Sequence, residues 1–374
     1  MSSPSGKLPL WVDIGVIPIA NIVLAFAVAG LVVLAVGASP LDAVKFMISG
    51  ALGDSEAIGY TLYYTTNFIF TGLAVAVAFH AGLFNIGGEG QAYLGGLGAG
   101  LAALAMNNAV PPVIAIPLAI FAAAGVGALW AAIPGYLQAY RGSHIVITTI
   151  MFNFIAAAIM VYLMVNVLIA PGSMSPESRE FTSAQLPLIS DILNHFGFAV
   201  AKSPLNLSSV LAILCCIGVW LLIWHTPFGY EVRTLGFNAN AAVYAGVNPR
   251  RLTVIVMCLS GALAGLVGVN EILGVHHRLL LDFAAGYGFG GIAVALMGRN
   301  HPVGIVLASL LFGILQQGGT ELSFDIPTIT RDMVVAIQGL VILFSGALAG
   351  LPRPWLAAPF LWLAQRRQRA AEDA

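Results

Sequence analysis

Long apolar runs, separated by short polar breaks, set the pattern of the chain. Runs of about 20 apolar residues are long enough to cross roughly 30 Å of hydrocarbon at about 1.5 Å per residue. Such runs extend from Ile17 to Gly37, Tyr60 to Phe79, Pro112 to Ile133, Ile145 to Leu168, Leu207 to His225, Val254 to Leu273 and Thr330 to Gly350. Gln91 to Met106, Gly286 to Gly298 and Pro302 to Gly318 are weaker, being short or glycine-rich. The pattern predicts an all-α, polytopic integral membrane protein of about ten transmembrane helices, some short or broken, in one transmembrane domain over residues 1–374. The first run outlasts the roughly 7 to 15 apolar residues of a signal peptide, so it reads as a retained anchor.

The breaks carry the remaining organisation. Residues 170–206, with "PGSMSPESREFTSAQLPLISDILNHFG", form a polar, proline-bearing external loop that offers a docking surface. Within it "SDILNHF" reads as a short helix capped by Ser190. Residues 226–253 form a cytoplasmic loop with a short helix of its own: Asn238 is a good N-cap, "ANAAVYA" propagates, Gly246 suits a left-handed close and Pro249 stops continuation. Both termini are placed in the cytoplasm. Lys7, Arg141, Arg233, Arg250, Arg251, Arg299 and the basic tail 353–374, with Arg366, Arg367 and Arg369, then fall inside. Most acidic residues, Asp54, Glu177, Glu180 and Asp282 among them, fall outside.

Composition sharpens the class. Of 374 residues, 59% are hydrophobic and 8% charged, where a soluble domain carries about 25% charged residues. An ordinary soluble domain is excluded, and a formal net charge of −1 gives no ground for nucleic acid as a partner. Cys215, Cys216 and Cys258 lie in apolar runs with no C-x-x-C pair, so they read as packing residues and no metal site is expected. The adjacent His276 and His277 suit one metal poorly on a helix and read as residues of a solvated loop.

One stretch stands out chemically. "FNIGGEGQAYLGGLGAG", from Phe84 to Gly100, sets Asn85, Glu89 and Gln91 among glycines that argue against a continuous helix. Transporters tolerate broken helices where the backbone lines a cavity or is buried in protein. Two readings of Glu89 are open: a contact to a neutral polar solute or its gate, together with Asn85 and Gln91, or a carboxylate that caps a helix at its positive end. Asn67 and Asn153 lie within apolar runs, where solute contact competes with hydrogen bonding between helices. Phe68, Phe152 and Tyr93 could stack on a base or pack, and Asn270 and Glu271 could cap a loop or serve an external gate.

The cytoplasmic helix also carries a resemblance. Asn240, Ala241, Ala242 and Gly246 are spaced as in the E-A-A-x-x-x-G signature of ABC importer permeases, with asparagine in place of the glutamate. "FNIGGEGQ", "SGALAGLVGVNEILGVHH" and "GYGFGGIAVALMGRNHPVG" are similar to segments of permeases from bacterial nucleoside and simple-sugar ABC importers, in the branched-chain amino acid and ribose-type superfamily. The resemblance runs from about Thr71 to Phe344, and departs from the family's usual Asn-Glu pair at Ser143 and His144.

What the resemblance implies is a translocation subunit, not an enzyme, in the bacterial inner membrane. Its implied solutes are nucleosides, purine nucleosides foremost. A permease for ribose-like or other simple sugars is the alternative, and a stand-alone secondary transporter the further one. Asn240, Ala241, Ala242 and Gly246 would couple it to an ATPase subunit with two nucleotide-binding domains. A second permease, making a heterodimer, and a substrate-binding lipoprotein or periplasmic protein would complete the assembly. The chain has no G-x-x-x-x-G-K-[ST] loop of its own, its only Gly-Lys pair being Gly6-Lys7, so no cofactor is expected in it and ATP would be used by the partner.

Overall fold

The computed structural model describes residue 12 and residues 16–106, 109–326 and 329–344. The helices in chain order are α1 (Ile17–Ala35), α2 (Pro40–Leu52), α3 (Ser55–His80), α4 (Gly88–Met106), α5 (Pro112–Arg141), α6 (Ile145–Asn166) and α7 (Ile189–His195). They continue with α8 (Ser208–His225), α9 (Pro227–Phe237), α10 (Ala239–Tyr244), α11 (Pro249–Gly265), α12 (Tyr287–Met297), α13 (Pro302–Asp325) and α14 (Arg331–Ile342). A π-helical segment, Val269–His276, extends α11.

The protein is an all-α, polytopic membrane protein. Among the described residues six helices are long and apolar enough to cross a membrane: α3, α5, α6, α8, α11 with its π-helical extension, and α13. A seventh span results if α1 and α2, bent by 115° at their break, are taken as one. The chain divides into two compact units, Met1–Ile48 with Gly318–Ala374, and Ser49–Gln317. In the first, Ala29 and Val33 of α1, Ala43 of α2 and Val334 and Ile337 of α14 join one buried apolar cluster with Leu322 and Ile329. The basic tail 353–374, Lys7 and the end of the last expected run lie outside the described residues.

Helix α3 is the axis of the larger unit. In its most apolar window 83% of residues are buried, against 22% for α5 and α6, so α3 is core and the other two present broad faces to their surroundings. Asp54 caps α3, accepting from the Ala57 amide at 2.8 Å, and Thr65 and Thr66 turn their hydroxyls back onto carbonyls of the same helix, so its polar side chains are satisfied in an apolar setting. Helices α5 and α11 meet through small residues. A side chain on Gly127 would strike the Gly261 backbone, and one on Gly95 of α4 would strike Gly265, so the close contact expected of "GGLGAG" and "SGALAG" is present.

Two helices begin inside this unit rather than at its ends. Phe68, at the middle of the 26-residue α3, packs edge-on against Tyr287, the first residue of α12, with ring centroids 5.3 Å apart. That contact puts the start of α12 about 18 Å from either end of α3, at about 1.5 Å per residue. From there α12 follows α3 toward His80, whose Nε2 lies 2.9 Å from the Asn300 carbonyl. Helix α4 starts at the same junction, with Gly88 against Gly288, and leaves the other way, passing Leu279 at Gly100. The charge pattern placed Asp282 on the outer side, and it lines the same cavity as Glu89. The 11 residues of α12 mark it as short, but the apolar pattern carries no record of where along α3 it begins.

Residues 170–206 fold back onto the larger unit instead of standing free. Amides of Ser178, Phe181 and Leu186 donate to the carbonyls of Leu279, His277 and Leu273, and Phe181 is fully buried. The short helix exists as α7, but it starts at Ile189 with no side-chain cap; Ser190 lies inside it with its hydroxyl buried and unpartnered among the described residues. His276 ends the π-helical segment, 3.5 Å from Glu271, so it belongs to the core's edge and not to a solvated loop. Met174 and Asn238 are exposed and flank the single span α8. With Cys215, Cys216 and Cys258 replaced by alanine, cysteines at Met174 and Asn238 are expected to react with an impermeant maleimide from opposite sides of the membrane. Reaction of both from one side would remove α8 as a span.

Candidate functional site

The break between α3 and α4 is built by amide side chains. After His80 the chain reverses through Gly82, at φ 72°, where its approach to the Gly236 backbone leaves little room for a side chain. Asn85 then serves as a knot. Its Oδ1 accepts from the Gly87 amide at 2.9 Å and Gln91 Nε2 at 3.1 Å, while its Nδ2 donates to Gln91 Oε1 at 2.9 Å and Ser260 Oγ at 2.8 Å. The Ser260 hydroxyl in turn donates to the Ala74 carbonyl. Asn153 closes the other side from α6, accepting from the Gly90 amide and donating to the Ile86 carbonyl, both at 2.9 Å. A buried amide left unpaired costs about 1–3 kcal/mol, and here each finds partners that hold the start of α4 in place.

Glu89 joins the two half-buried helix starts. Its Oε1 accepts from the Gly286 amide at 2.9 Å and its Oε2 from the Gly288 amide at 2.8 Å. The carboxylate therefore caps α12, not its own helix, while standing in the first turn of α4. Both N-termini carry partial positive charge of about half a unit, and the carboxylate lies where those fields add. Gly286 takes φ 82°, and a side chain on Gly288 would overlap the Glu89 backbone, so the glycines are what allow the two helix starts to meet.

Beside this junction is a cavity of about 200 Å³ lined by Glu89, Gly90, Tyr93, Asn153, Ala157, Asp282, Ala284, Ala285 and Gly286. Of the residues singled out from sequence, Glu89, Tyr93 and Asn153 line it. Asn85 and Gln91 hold the break from outside the cavity lining, and Asn67 belongs to a second cluster. There Asn67 Nδ2 donates to Glu271 Oε1 at 2.6 Å and its Oδ1 accepts from Asn270 at 2.9 Å. Asn270 in turn accepts from Ser208 and Asn206, and the Asn67 side chain reaches the Tyr287 hydroxyl. Tyr287 thus links the two clusters, since it lies between the two glycines that Glu89 holds.

The model of the branched-chain amino acid transport system permease component matches residues 57–346. The chain is 37% identical to the guanosine ABC transporter permease protein NupP of Bacillus subtilis over 88% of its length and 92% of that protein's. It is 33% identical to the glucose ABC transporter permease protein of Haloferax volcanii over 91% and 89% of the two chains. It is also 32% identical to the nucleoside ABC transporter permease protein NupB of Lactococcus lactis over 88% and 89%. The chain belongs to this permease family. No solved structure matches it.

In this permease the motif spaced like a coupling signature is a real surface helix. Asn238 Oδ1 caps α10, accepting from the Asn240 and Ala241 amides at 2.9 and 3.1 Å, and Gly246 closes it at φ 80°. Ala242, however, is fully buried beneath the helix, whereas Asn240, Ala241 and Gly246 are exposed. The large exposed groups are Phe237 and Tyr244, at 91% and 95%. Sequence spacing missed them because a signature reports which positions are small, not which large neighbours the fold leaves outside. Asp282 also gains a site that sequence did not assign: Tyr93, already a candidate for stacking or packing, shares a helix face with Glu89 four residues before it, but Asp282 reaches the cavity only through the tertiary fold.

Replacing Glu89 with glutamine leaves one acceptor for two amides and turns an NH₂ toward the other. The permease should lose roughly 1–3 kcal/mol, the cost of a buried amide without a partner. Thermal unfolding of the purified protein should show a lowered midpoint for Glu89→Gln; an unchanged midpoint would mean that this carboxylate does not hold α12.

Proposed function

We propose that this permease forms the inner-membrane translocation pathway of an ABC importer for nucleosides, purine nucleosides foremost, with both termini in the cytoplasm. The observation that carries the reading is the cavity at the meeting of two helix N-termini, set inside a chain whose relatives include permeases named for guanosine and nucleoside transport. Discontinuous helices in transporters place backbone and side-chain polar groups near mid-depth, where a polar solute needs them. The cavity lining holds the carboxyl groups of Glu89 and Asp282 and no lysine or arginine, which disfavours an anionic solute and is compatible with a neutral one. The relative named for glucose supports the second reading, a simple-sugar solute.

Energy would come from a partner ATPase subunit with two nucleotide-binding domains. A second permease and a substrate-binding lipoprotein or periplasmic protein would supply the other half of the pathway and the solute. Helix α10 is the coupling element in this reading: Asn240, Ala241 and Gly246 lie on the accessible side, Ala242 seats the helix, and Phe237 and Tyr244 are the groups large enough to anchor in a groove of the ATPase. Buried aromatic anchors carry a large share of interface energy.

Uptake of labelled guanosine and glucose by proteoliposomes containing the complete complex separates the two solute readings. Guanosine uptake that depends on ATP supports the first, and uptake of glucose alone favours the second. In the same vesicles Tyr244→Ala should lower solute-stimulated ATP hydrolysis about tenfold, the effect of losing roughly 1.4 kcal/mol at an interface anchor. Gly246→Val should act in the same direction, because its backbone conformation disfavours a side chain. Full coupling in both variants would remove α10 from the ATPase interface.

A further inference from the structure

The loop that ends at α12 is held in an uncommon backbone conformation. Asp282 and Ala285 both have positive φ, at 59° and 46°, just before Gly286. Non-glycine residues with positive φ are uncommon and persist where the surroundings hold them. Here several contacts do so. The Asp282 amide donates to the Tyr93 hydroxyl, and the Phe283 ring fits the space left by Gly96, its centroid 5.1 Å from that of Tyr93. Glu89 holds Gly286, and the Leu279 amide donates to Ser178 Oγ at 2.8 Å.

The result of this bracing is that Asp282 lines the cavity beside Glu89 and Tyr93. Glu89 already takes one backbone N–H on each oxygen. The side-chain hydrogen bond of Asp282 among the described residues is a long one, 3.4 Å from the Tyr93 hydroxyl to Oδ1. With no cationic side chain in the lining, the cavity is rich in acceptors and short of donors. Asp282 is itself exposed, so its carboxylate is open to a solute that enters the cavity.

We propose that Asp282 is a specificity-determining residue that, with Glu89 and the Tyr93 hydroxyl, receives the vicinal hydroxyl pair of the solute's sugar ring. This rests on the transport reading given above. A carboxylate only accepts hydrogen bonds, and two hydroxyls on adjacent carbons present two donors to its two oxygens. Such charge-assisted bonds are short and strong. A phosphate on either of those two hydroxyls would offer acceptors and negative charge in the same place, so the subsite rejects 2′- and 3′-phosphorylated sugars. At about 200 Å³ the cavity is smaller than the roughly 300–1,000 Å³ of sites that enclose drug-sized ligands, so it takes the sugar and leaves the base outside.

The test uses Asp282→Asn, since asparagine keeps the shape and tolerates positive φ. Proteoliposomes with the complete complex, parent or variant, are given labelled guanosine, 2′-deoxyguanosine or 2′,3′-dideoxyguanosine, with uptake normalised to assembled complex. The binding protein's own preference is common to both permeases and cancels in the variant-to-parent ratio for each solute. The ratio should fall about tenfold for guanosine, less for 2′-deoxyguanosine and under about twofold for the dideoxy compound, because a site built to bond a hydroxyl discriminates by that bond. Equal ratios for the three solutes, including no change in any, would overturn the subsite. A parent complex that takes up glucose and no nucleoside would instead fail the nucleoside reading, and the ratio for glucose against 2-deoxyglucose would then decide the role of Asp282: a greater loss for glucose supports it, and equal ratios overturn it.

Discussion

A single carboxylate between two helix N-termini is the constraint on which the core of this permease rests. Helix α4 and helix α12 both begin near the middle of α3 and leave in opposite directions, so their unpaired amides meet within the larger unit. Glu89 answers both problems together. It accepts the Gly286 and Gly288 amides of one helix start while standing in the first turn of the other. Negative charge is stabilised at such a position by the summed helix dipoles, and the exposed backbone donors are stabilised by the carboxylate.

Glycine makes that junction geometrically possible. Gly88 and Gly288 bring the two helix starts together, Gly286 adopts a left-handed conformation, and Gly95 and Gly96 bring α4 against Gly265 and Gly268. In lipid there is no hydrophobic force to draw helices together, so close contact between small residues and hydrogen bonding must do it. The amide side chains of Asn85, Gln91 and Asn153 supply the bonds on one side of the junction. Asn67, Asn270 and Glu271 supply them on the other.

Tyr287 joins these two sets. It stands between the glycines held by Glu89, its ring packs on Phe68, and its hydroxyl meets Asn67, which bonds Glu271 in the π-helical segment. Single π-helical turns often occur at functional sites, because they swing side chains out of the regular α-helical register. Here the segment turns Asn270 and Glu271 into the core. A shift of α12 against α3 would therefore have to break or exchange bonds in both polar clusters, which gives the cavity and the far end of α11 a shared physical connection.

Much of this architecture follows from the order of residues alone. Apolar runs of spanning length require an all-α membrane protein, because lipid offers no partner to an open backbone. The glycines around Glu89 require a helix break, and Asn238 with Gly246 sets the limits of α10 by local hydrogen bonds and backbone conformation. These are short-range effects and can be read from neighbouring residues. Only the tertiary structure decided which helix Glu89 caps, that Asn67 serves a different cluster from Asn153, that Ala242 is buried while Tyr244 is exposed, and that Asp282 shares a cavity with Glu89. Each depends on residues far apart in the chain, and α12 begins half-way along α3 through a contact between Phe68 and Tyr287 that no local pattern records.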